Sequence, residues 1–567
     1  MRLQNVKRKF AQLAADPVLR SWLLRRAFGL QAPPAPFAPH LPVYAWERLP
    51  LKVANAEWLD PPEEITPKEP SDSFVADLAG TEISINPAEP EAFFSHLLDD
   101  IETDLARHRF AWLPLHTTVP AAAFKSLWQT WRKRFFDSDG IHWHPYTAAE
   151  RAVNVIDAGR RLGLPDAPGP LARDLGKHAE AIAERLEYFG DHDTSNHLAN
   201  NGRGLYRIGC TLGDDAVRRL GFDILVNEAA RVFLPGGMLR EGSSHYHFLY
   251  LRNYLDVWLA AEAKGQDEEA AALAQVAERL MVAARHLVLP GGLPLAGDIS
   301  PDCPPAFLAS LERGAGAWAA TRDDEDRDRL QRFAETAGAT NHDTLLADGW
   351  LRAGHGRWSA LAHVPPMGWP FMPGHAHQDM GSAEIHVDGK PLFVDPGRGA
   401  YGETGDAALY RSAAVHGTLR IDGADPYPPN KPYYDDAFRA RHAGPAAAMR
   451  HPDGFTIAHG GYRRLGADDV RRRWQFEETE IRIEDGISGT GRHTVERALV
   501  TPLAVQIKDK LAIIGERFAV SAEDAAPRLD PVTVWHAYGR GAPGTRIVFE
   551  TVAELPWSGL ITVREIA

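Results

Sequence analysis

The helical pattern of this chain stops near Leu351 and gives way to a different texture. Before that point apolar residues recur at helical spacing: Leu273, Val276, Leu280 and Leu287 share one face of the alanine-rich run that begins at Asp267, and Leu249 to Ala263 is a second long helix candidate. Beyond it, short β-favouring runs are punctuated by Asp-Gly, Pro-Gly and Gly-x-Gly, as in Trp474 to Ile483, then Glu484-Asp485-Gly486, then Gly489-Thr490-Gly491. Helices first and strands second exclude an alternating βαβ sheet. They predict an α+β multidomain chain, with stacked helical hairpins over residues 76–345 and an antiparallel β-sandwich over residues 346–567.

Residues 1–75 stand apart. They open with a basic segment carrying Lys7, Arg8, Lys9, Arg20, Arg25 and Arg26, then run through a proline-rich stretch from Gln31 to Pro70 that reads as an extended connector. The longest apolar run of the basic segment, Trp22-Leu23-Leu24, is too short for a membrane span or a signal peptide's apolar core. The segment therefore reads as a helix packed on its own protein in preference to a membrane-surface element. The expectation is no transmembrane segment and a cytoplasmic location, with the periplasm as the alternative.

A length of 567 residues with 44% hydrophobic and 24% charged residues supports more than one buried core. The formal net charge of -14 argues against nucleic acid as a partner, since nucleic acids select basic surfaces. Cys210 and Cys303 are the two cysteines, too few for a disulfide framework and in no Cys-x-x-Cys pair.

The most chemically suggestive residues lie in the β half. Gly374-His375-Ala376-His377-Gln378-Asp379 is succeeded by Ala383 to Val394, read as two short strands joined at Asp388-Gly389, then by Asp395-Pro396-Gly397 and later by His416. A hairpin there returns His377 and Asp395 to one end of a sheet, with His375 on the same strand face. His377, Asp395 and His416 make a three-ligand metal site beside a catalytic histidine. Metal-dependent amidohydrolases also use His-x-His, but on the first strand of a β/α barrel, whereas here it lies two thirds along the chain.

In the helical half, Ser195-Asn196-His197-Leu198-Ala199-Asn200-Asn201 brings amides and an imidazole into a helix start. Arg240-Glu241-Gly242-Ser243-Ser244-His245-Tyr246-His247 precedes the Leu249 helix. Ser243 or Ser244 as N-cap would place Tyr246 in the first turn, where its ring can project into a cleft.

Taken together, these motifs resemble the heparinase II/III superfamily of polysaccharide lyases, over roughly residues 90 to 560. Trp143-His144-Pro145-Tyr146 with Arg151, and Tyr462-Arg463-Arg464-Leu465, are also similar to that family. The resemblance implies an N-terminal incomplete (α/α) toroid joined to a C-terminal antiparallel β-sandwich, with the active site between them. It implies β-elimination on a uronate-containing glycan: a base removes the C5 proton, the C4 glycosidic bond breaks, and an unsaturated sugar remains.

By that resemblance Asn196 and His197 face the substrate carboxylate and Tyr246 protonates the leaving oxygen. The base is His375 or a sandwich tyrosine, Tyr401 before Tyr410. Asn200, Arg240, His247, Trp143, Tyr146 and Arg398 contact the sugar. His377, Asp395 and His416 hold one zinc ion, mainly structural. One departure is Gly417, where family members have Asn after the third ligand histidine.

Positive charge for a polyanion could come from Arg203, Arg207, Arg240 and Arg398, but the acidic balance favours a weakly charged uronate polymer or oligosaccharide, such as alginate, hyaluronate or a bacterial exopolysaccharide, over sulfated heparin. Two alternatives stand beside the lyase. One is a glycoside hydrolase, for which Glu241 and Asp298 are the available carboxylates although their spacing does not mark them as a pair. The other is a non-catalytic carbohydrate-binding or exopolysaccharide-assembly protein. A homo-oligomer is compatible with either domain.

Overall fold

The computed structural model describes residues 10, 13–14, 16–30, 38–53, 56–66, 73–116, 118–191, 193–368, 374–427 and 440–566. Its helical half is built from α1 (Ile101–Arg109), α2 (Ala121–Phe135), α3 (Pro145–Leu162), α4 (Pro168–Glu184), α5 (Asn196–Leu212), α6 (Asp215–Val232), α7 (Ser244–Ala263) and α8 (Asp267–Leu287). Local sequence explains the ends. Asp100 and Asp214 cap α1 and α6 by accepting backbone N–H groups, prolines open α3 and α4, and α8 starts with Asp267, Glu268 and Glu269 and ends with Arg285 and His286, complementing its dipole.

Burial follows apolar content. On α8 Leu273, Leu280 and Leu287 are buried and Val276 partly so, giving a one-sided helix. α7 is buried from Ser244 through Ala261, the mark of a helix surrounded by others. α5 and α6 approach closely because Gly209 lies against Arg218 and Gly221 against Tyr206, where any side chain would meet backbone.

The described part of the connector packs on the helical domain. Leu51, Trp58 and Ile65 enter the core of the helical domain, and Ile65 N–H donates to Leu164 C=O at 2.9 Å. Of the basic segment, helix Pro17–Ala27 is described. Its N-cap Asp16 and Leu19 are buried, with Asp16 3.7 Å from Arg464 of the β half, while Arg20, Arg25 and Arg26 are exposed; Lys7, Arg8 and Lys9 lie outside the described residues. No described helix is long and apolar enough to cross a membrane.

The strands are β1 (Phe74–Leu78), β2 (Thr81–Ile85), β3 (Trp350–His355), β4 (Trp358–His363), β5 (Glu384–Val387), β6 (Lys390–Phe393), β7 (Leu419–Ile421), β8 (Ala446–His451), β9 (Gly454–His459), β10 (Ala467–Phe476), β11 (Glu480–Gly489), β12 (Arg492–Thr501), β13 (Val505–Lys508), β14 (Leu511–Ile514), β15 (Phe518–Ala522), β16 (Pro527–Ala537), β17 (Arg540–Glu554) and β18 (Trp557–Glu565). The described pairings are antiparallel. They form an eight-stranded sheet ordered β13-β14-β15-β18-β11-β10-β9-β8, a four-stranded sheet β16-β17-β12-β7, and a second four-stranded sheet β3-β4-β5-β6. Ile483, Ile561 and Trp474 of the large sheet meet Leu499, Ile547 and Phe549 of the first four-stranded one in a shared core, so the sandwich expected from the turn spacing is present.

Two features differ from the sequence reading. Glu484-Asp485-Gly486 is not a turn: β11 runs straight through it. Asp485 stays inside because Arg472 neutralises it with two hydrogen bonds, at 2.7 and 3.0 Å. The hairpin β1–β2, absent from that reading, carries strand structure ahead of the helices and docks on the turn between β16 and β17, where Arg540 contacts Asp77 at 3.1 Å and Glu82 at 3.0 Å.

Helical and β halves share side chains at their junction. Trp350 and Leu361 of the β3–β4 pair lie in the same core as Leu280 and Leu287 of α8. This continuous packing seats the β half against the N-terminal end of α7, where Tyr246 meets His375 and Tyr401.

A candidate active site between the helical and β halves

Ser243 is the N-cap of α7: its Oγ accepts the Tyr246 N–H at 3.1 Å and donates to the Asp298 carbonyl at 2.7 Å. One hydroxyl thus fixes Tyr246 in the first turn and ties the 294–302 loop over it; such a cap contributes about 1 kcal/mol. Gly297 (φ +78°) lies so close to the Gly242 and His375 carbonyls that a side chain could not enter.

Asp298 is the centre of this junction. Its carboxylate accepts from His375 Nδ1 at 3.2 Å, from His377 Nε2 at 2.9 Å and from the Arg398 guanidinium at 3.0 Å, while its N–H donates to the His375 carbonyl at 2.8 Å. These donors hold the carboxyl well below the usual carboxylate range against the opposing effect of burial. The segment around His375 and His377 is irregular rather than the expected strand, and the two imidazoles are brought together by Asp298 instead of by a pleat. The predicted hairpin is there: β5 and β6 turn at Asp388 (φ 52°) and Gly389 (φ 73°), both left-handed as a type I′ turn requires.

His375 is bracketed. Opposite Asp298, the fully buried Glu241 places an oxygen 3.1 Å from His375 Nε2, within ion-pairing reach but outside hydrogen-bond direction. Burial opposes the charged imidazolium, yet the two carboxylates outweigh it and raise the His375 pKa to about 9. The Tyr246 ring stacks on the His375 ring at 3.6 Å and 14°. The Tyr246 hydroxyl lies 2.6 Å from that of Tyr401, which donates onward to the Ile299 carbonyl at 3.1 Å. Since the Tyr401 proton is used there, Tyr246 is the donor within the pair. Burial drives both phenols well above 10. Arg398 lies over the Tyr401 ring at 5.2 Å.

Asn196 and His197 begin α5. The Asn196 amide has no hydrogen-bond partner among the described residues. His197 donates from Nδ1 to Glu187 at 2.6 Å and packs its ring on Tyr146 at 4.7 Å. Its side chain keeps 42% exposure; burial lowers its pKa, but Glu187 raises it further, so the net direction is up.

His377, Asp395 and His416 converge with their ligand atoms within 4.8 Å. His416 presents Nδ1 to Asp395 at 3.1 Å and turns Nε2 to the Tyr410 carbonyl at 3.1 Å; His377 turns Nε2 to Asp298, leaving a buried Nδ1 without a partner. Each imidazole has one nitrogen anchored from behind and the other aimed inward, the usual arrangement around a metal ion. At Gly417, Arg472 holds the backbone carbonyl at 3.0 Å and Arg546 holds that of His416 at 3.1 Å, so the third histidine is fixed through backbone, and a side chain at 417 would press on Ser382 at 3.2 Å.

The six residues expected to contact sugar all have partners within the frame. Arg240 is buried and donates to the Asp191 and Thr194 carbonyls, bracing the loop before α5. His247 is fixed between Leu239 N–H and the Leu280 carbonyl. Asn200 donates to the Tyr146 carbonyl at 3.3 Å, and Trp143 is buried against Arg151. Tyr146 turns its hydroxyl to Asp302, and Arg398 is committed to Asp298 and to the Ala407 and Gly402 carbonyls. Tyr410 is directed away: its hydroxyl accepts Thr533 N–H at 2.7 Å. Their motifs contain inward and outward positions alike, which spacing alone does not separate. Conversely, Glu187 and Asp302 were not singled out from sequence, and Glu241 and Asp298 only as a hydrolase pair. The sole sequence trace of the loop is the polar run Gly297-Asp298-Ile299-Ser300-Pro301-Asp302 after an apolar helix.

Residues 339–550 match the family model described as Heparinase II/III-like, C-terminal. The fold is also that of solved structures. One, titled Heparinase III, is 14% identical with a TM-score of 0.61, covering 83% of this chain and 79% of that one. A Heparinase III gene product is 17% identical with a TM-score of 0.58 (85% and 81% covered), and a heparan sulfate lyase HepC mutant from Pedobacter heparinus is 16% identical with a TM-score of 0.53 (87% and 81% covered). No curated protein matches the chain.

Proposed function

We propose that this chain, whose β half is a Heparinase II/III-like C-terminal domain, is a polysaccharide or oligosaccharide lyase acting on uronate-containing glycans by β-elimination. The observation that carries the reading is the Tyr246–Tyr401 hydroxyl pair, 2.6 Å apart, with the Tyr246 ring stacked on His375, at the junction of the two halves. The solved structures of this fold bear the titles heparinase III and heparan sulfate lyase, in agreement with that chemistry.

The Asn196 amide and the exposed edge of His197 receive the substrate carboxylate and offset the charge that spreads onto it as the C5 proton leaves. His375 has a carboxylate at each ring nitrogen and therefore no lone pair free for a proton. Tyr401, in its phenolate form, takes the C5 proton, with the Arg398 cation over its ring. The C5 electron pair becomes the C4=C5 double bond, the C4–O4 bond breaks, and Tyr246 gives its proton to O4. Transfer of a proton from Tyr401 back to Tyr246 along their hydrogen bond restores the starting state.

His377, Asp395 and His416 fit a single zinc ion: two imidazoles and a carboxylate are its preferred donors, and the buried Nδ1 of His377 is left unpartnered without one. Bound there, zinc would pin the loops that carry His375 and Tyr401. The arginines named from sequence are spent internally, Arg203 on Glu150 and Asp256, Arg207 on Asp157 and Asp256, Arg240 on backbone carbonyls and Arg398 on Asp298. This supports a weakly charged uronate polymer over a highly sulfated one. A glycoside hydrolase would need two carboxylates facing the sugar, whereas Glu241 and Asp298 are buried on either side of His375. The test is the ultraviolet absorbance of unsaturated uronate with a panel of uronate polymers and oligosaccharides. Growth of that absorbance with the native chain and its loss in Tyr246→Phe supports the lyase; silence across the panel with folded, zinc-loaded protein counts against it.

A further inference from the structure

Three side chains from separate segments meet beside the N-terminal end of α5. His144 precedes α3, Glu187 lies beyond the end of α4, and His197 sits in the first turn of α5. Glu187 Oε1 is 2.6 Å from His197 Nδ1 and 3.3 Å from His144 Nε2, and one ligand atom from each of the three lies within 4.8 Å of the others. The second carboxylate oxygen is fixed from behind: Asn201 Nδ2 donates to Glu187 Oε2 at 3.2 Å, and the Glu187 N–H donates back to Asn201 Oδ1 at 3.3 Å. A buried amide thus holds the carboxylate with one oxygen directed at two imidazoles. The His144 side chain is 45% exposed, so the cluster opens to solvent on that side.

We infer that His144, Glu187 and His197 form a second divalent-cation site, selective for zinc or a similar late first-row ion and distinct from the His377, Asp395 and His416 cluster. Two imidazoles and one carboxylate with an open fourth position suit such an ion, whereas calcium and magnesium require more oxygen ligands. Asn201, which orients Glu187, is the outer support that metal-binding carboxylates use. Binding replaces the proton between His197 Nδ1 and Glu187 with the ion, and that proton passes to solvent. A second consequence rests on the proposed function: an ion held by His197 competes with the substrate carboxylate, so excess zinc inhibits.

The test is titration of metal-free, full-length protein with Zn2+ by calorimetry, with proton release measured in buffers of different ionisation enthalpy. Two ions per chain are expected for the native protein. His144→Ala, at an exposed position, and the isosteric Glu187→Gln should each bind one; His416→Ala should retain the ion at His144, Glu187 and His197. A native stoichiometry that neither His144→Ala nor Glu187→Gln lowers overturns the inference. This readout needs no turnover, so it stands or falls separately from the lyase assignment. In an active preparation, inhibition by excess zinc should be at least tenfold weaker in His144→Ala.

Discussion

Tyr246 and Tyr401, 155 positions apart and contributed by different halves of the chain, share a hydroxyl–hydroxyl hydrogen bond of 2.6 Å. Neither half alone contains the pair, so the chemistry requires the junction to be closed.

Removing either hydroxyl should therefore be costly. Tyr246→Phe and Tyr401→Phe are each expected to lower kcat by roughly 10²–10⁴ with a smaller change in KM. Because the two act as a unit, the double variant should be little worse than the worse single one. Steady-state kinetics on the best substrate decides this, and additive losses would separate the two roles.

Burial raises the Tyr401 phenol well above 10, so its phenolate is a minor species at neutral pH that grows with alkalinity. The sign is direct: below that pKa, kcat/KM should climb up to about tenfold per pH unit as protons are lost. A pH–rate profile that falls through the same range would transfer the base role elsewhere.

Asp298→Asn removes the charge that orients both His375 and His377 while keeping the size of the side chain. Zinc affinity should drop by about 10–100-fold, the usual effect of losing an outer partner of a ligand histidine. Activity should fall with it, and adding zinc should restore metal content without restoring full kcat, because the His375 contact is still lost. Zinc analysis alongside kinetics separates these two effects.

Chelation should lower the melting temperature of the native protein, since an ion bound only by the folded state stabilises it in proportion to its occupancy. His416→Ala should melt below the zinc-loaded native protein and respond less to chelator than the native protein does. A native Tm indifferent to metal would show that the cluster holds none.

Arg472→Met leaves Asp485 buried without its partner and frees the Gly417 carbonyl. A loss of about 3–5 kcal/mol is expected from equilibrium denaturation, as for other broken buried pairs. The double variant Arg472→Met with Asp485→Leu should recover much of it.

Part of this arrangement was legible along the chain. The I′ turn at Asp388-Gly389 gave the β5–β6 hairpin and hence the nearness of His377 to Asp395, and a serine before Tyr246 marked the start of α7. These are local effects, set by φ preference and capping over a few residues. Strand continuity through Asp485-Gly486 was not legible, because a turn-forming pair is overridden by a guanidinium from the neighbouring strand.

What the sequence by itself determined is the order of helical and β halves, the start of α7, and the trio His377, Asp395 and His416 that the fold brings together, since periodicity, turn chemistry and side-chain type are local quantities. Only the tertiary structure decided that Asp298 and Glu241 bracket His375, that Tyr401 rather than Tyr410 meets Tyr246, and that Arg240, His247 and Arg398 are frame. Those facts depend on which faces the junction buries, and desolvation assigns each polar group its partner across distances that no spacing rule spans.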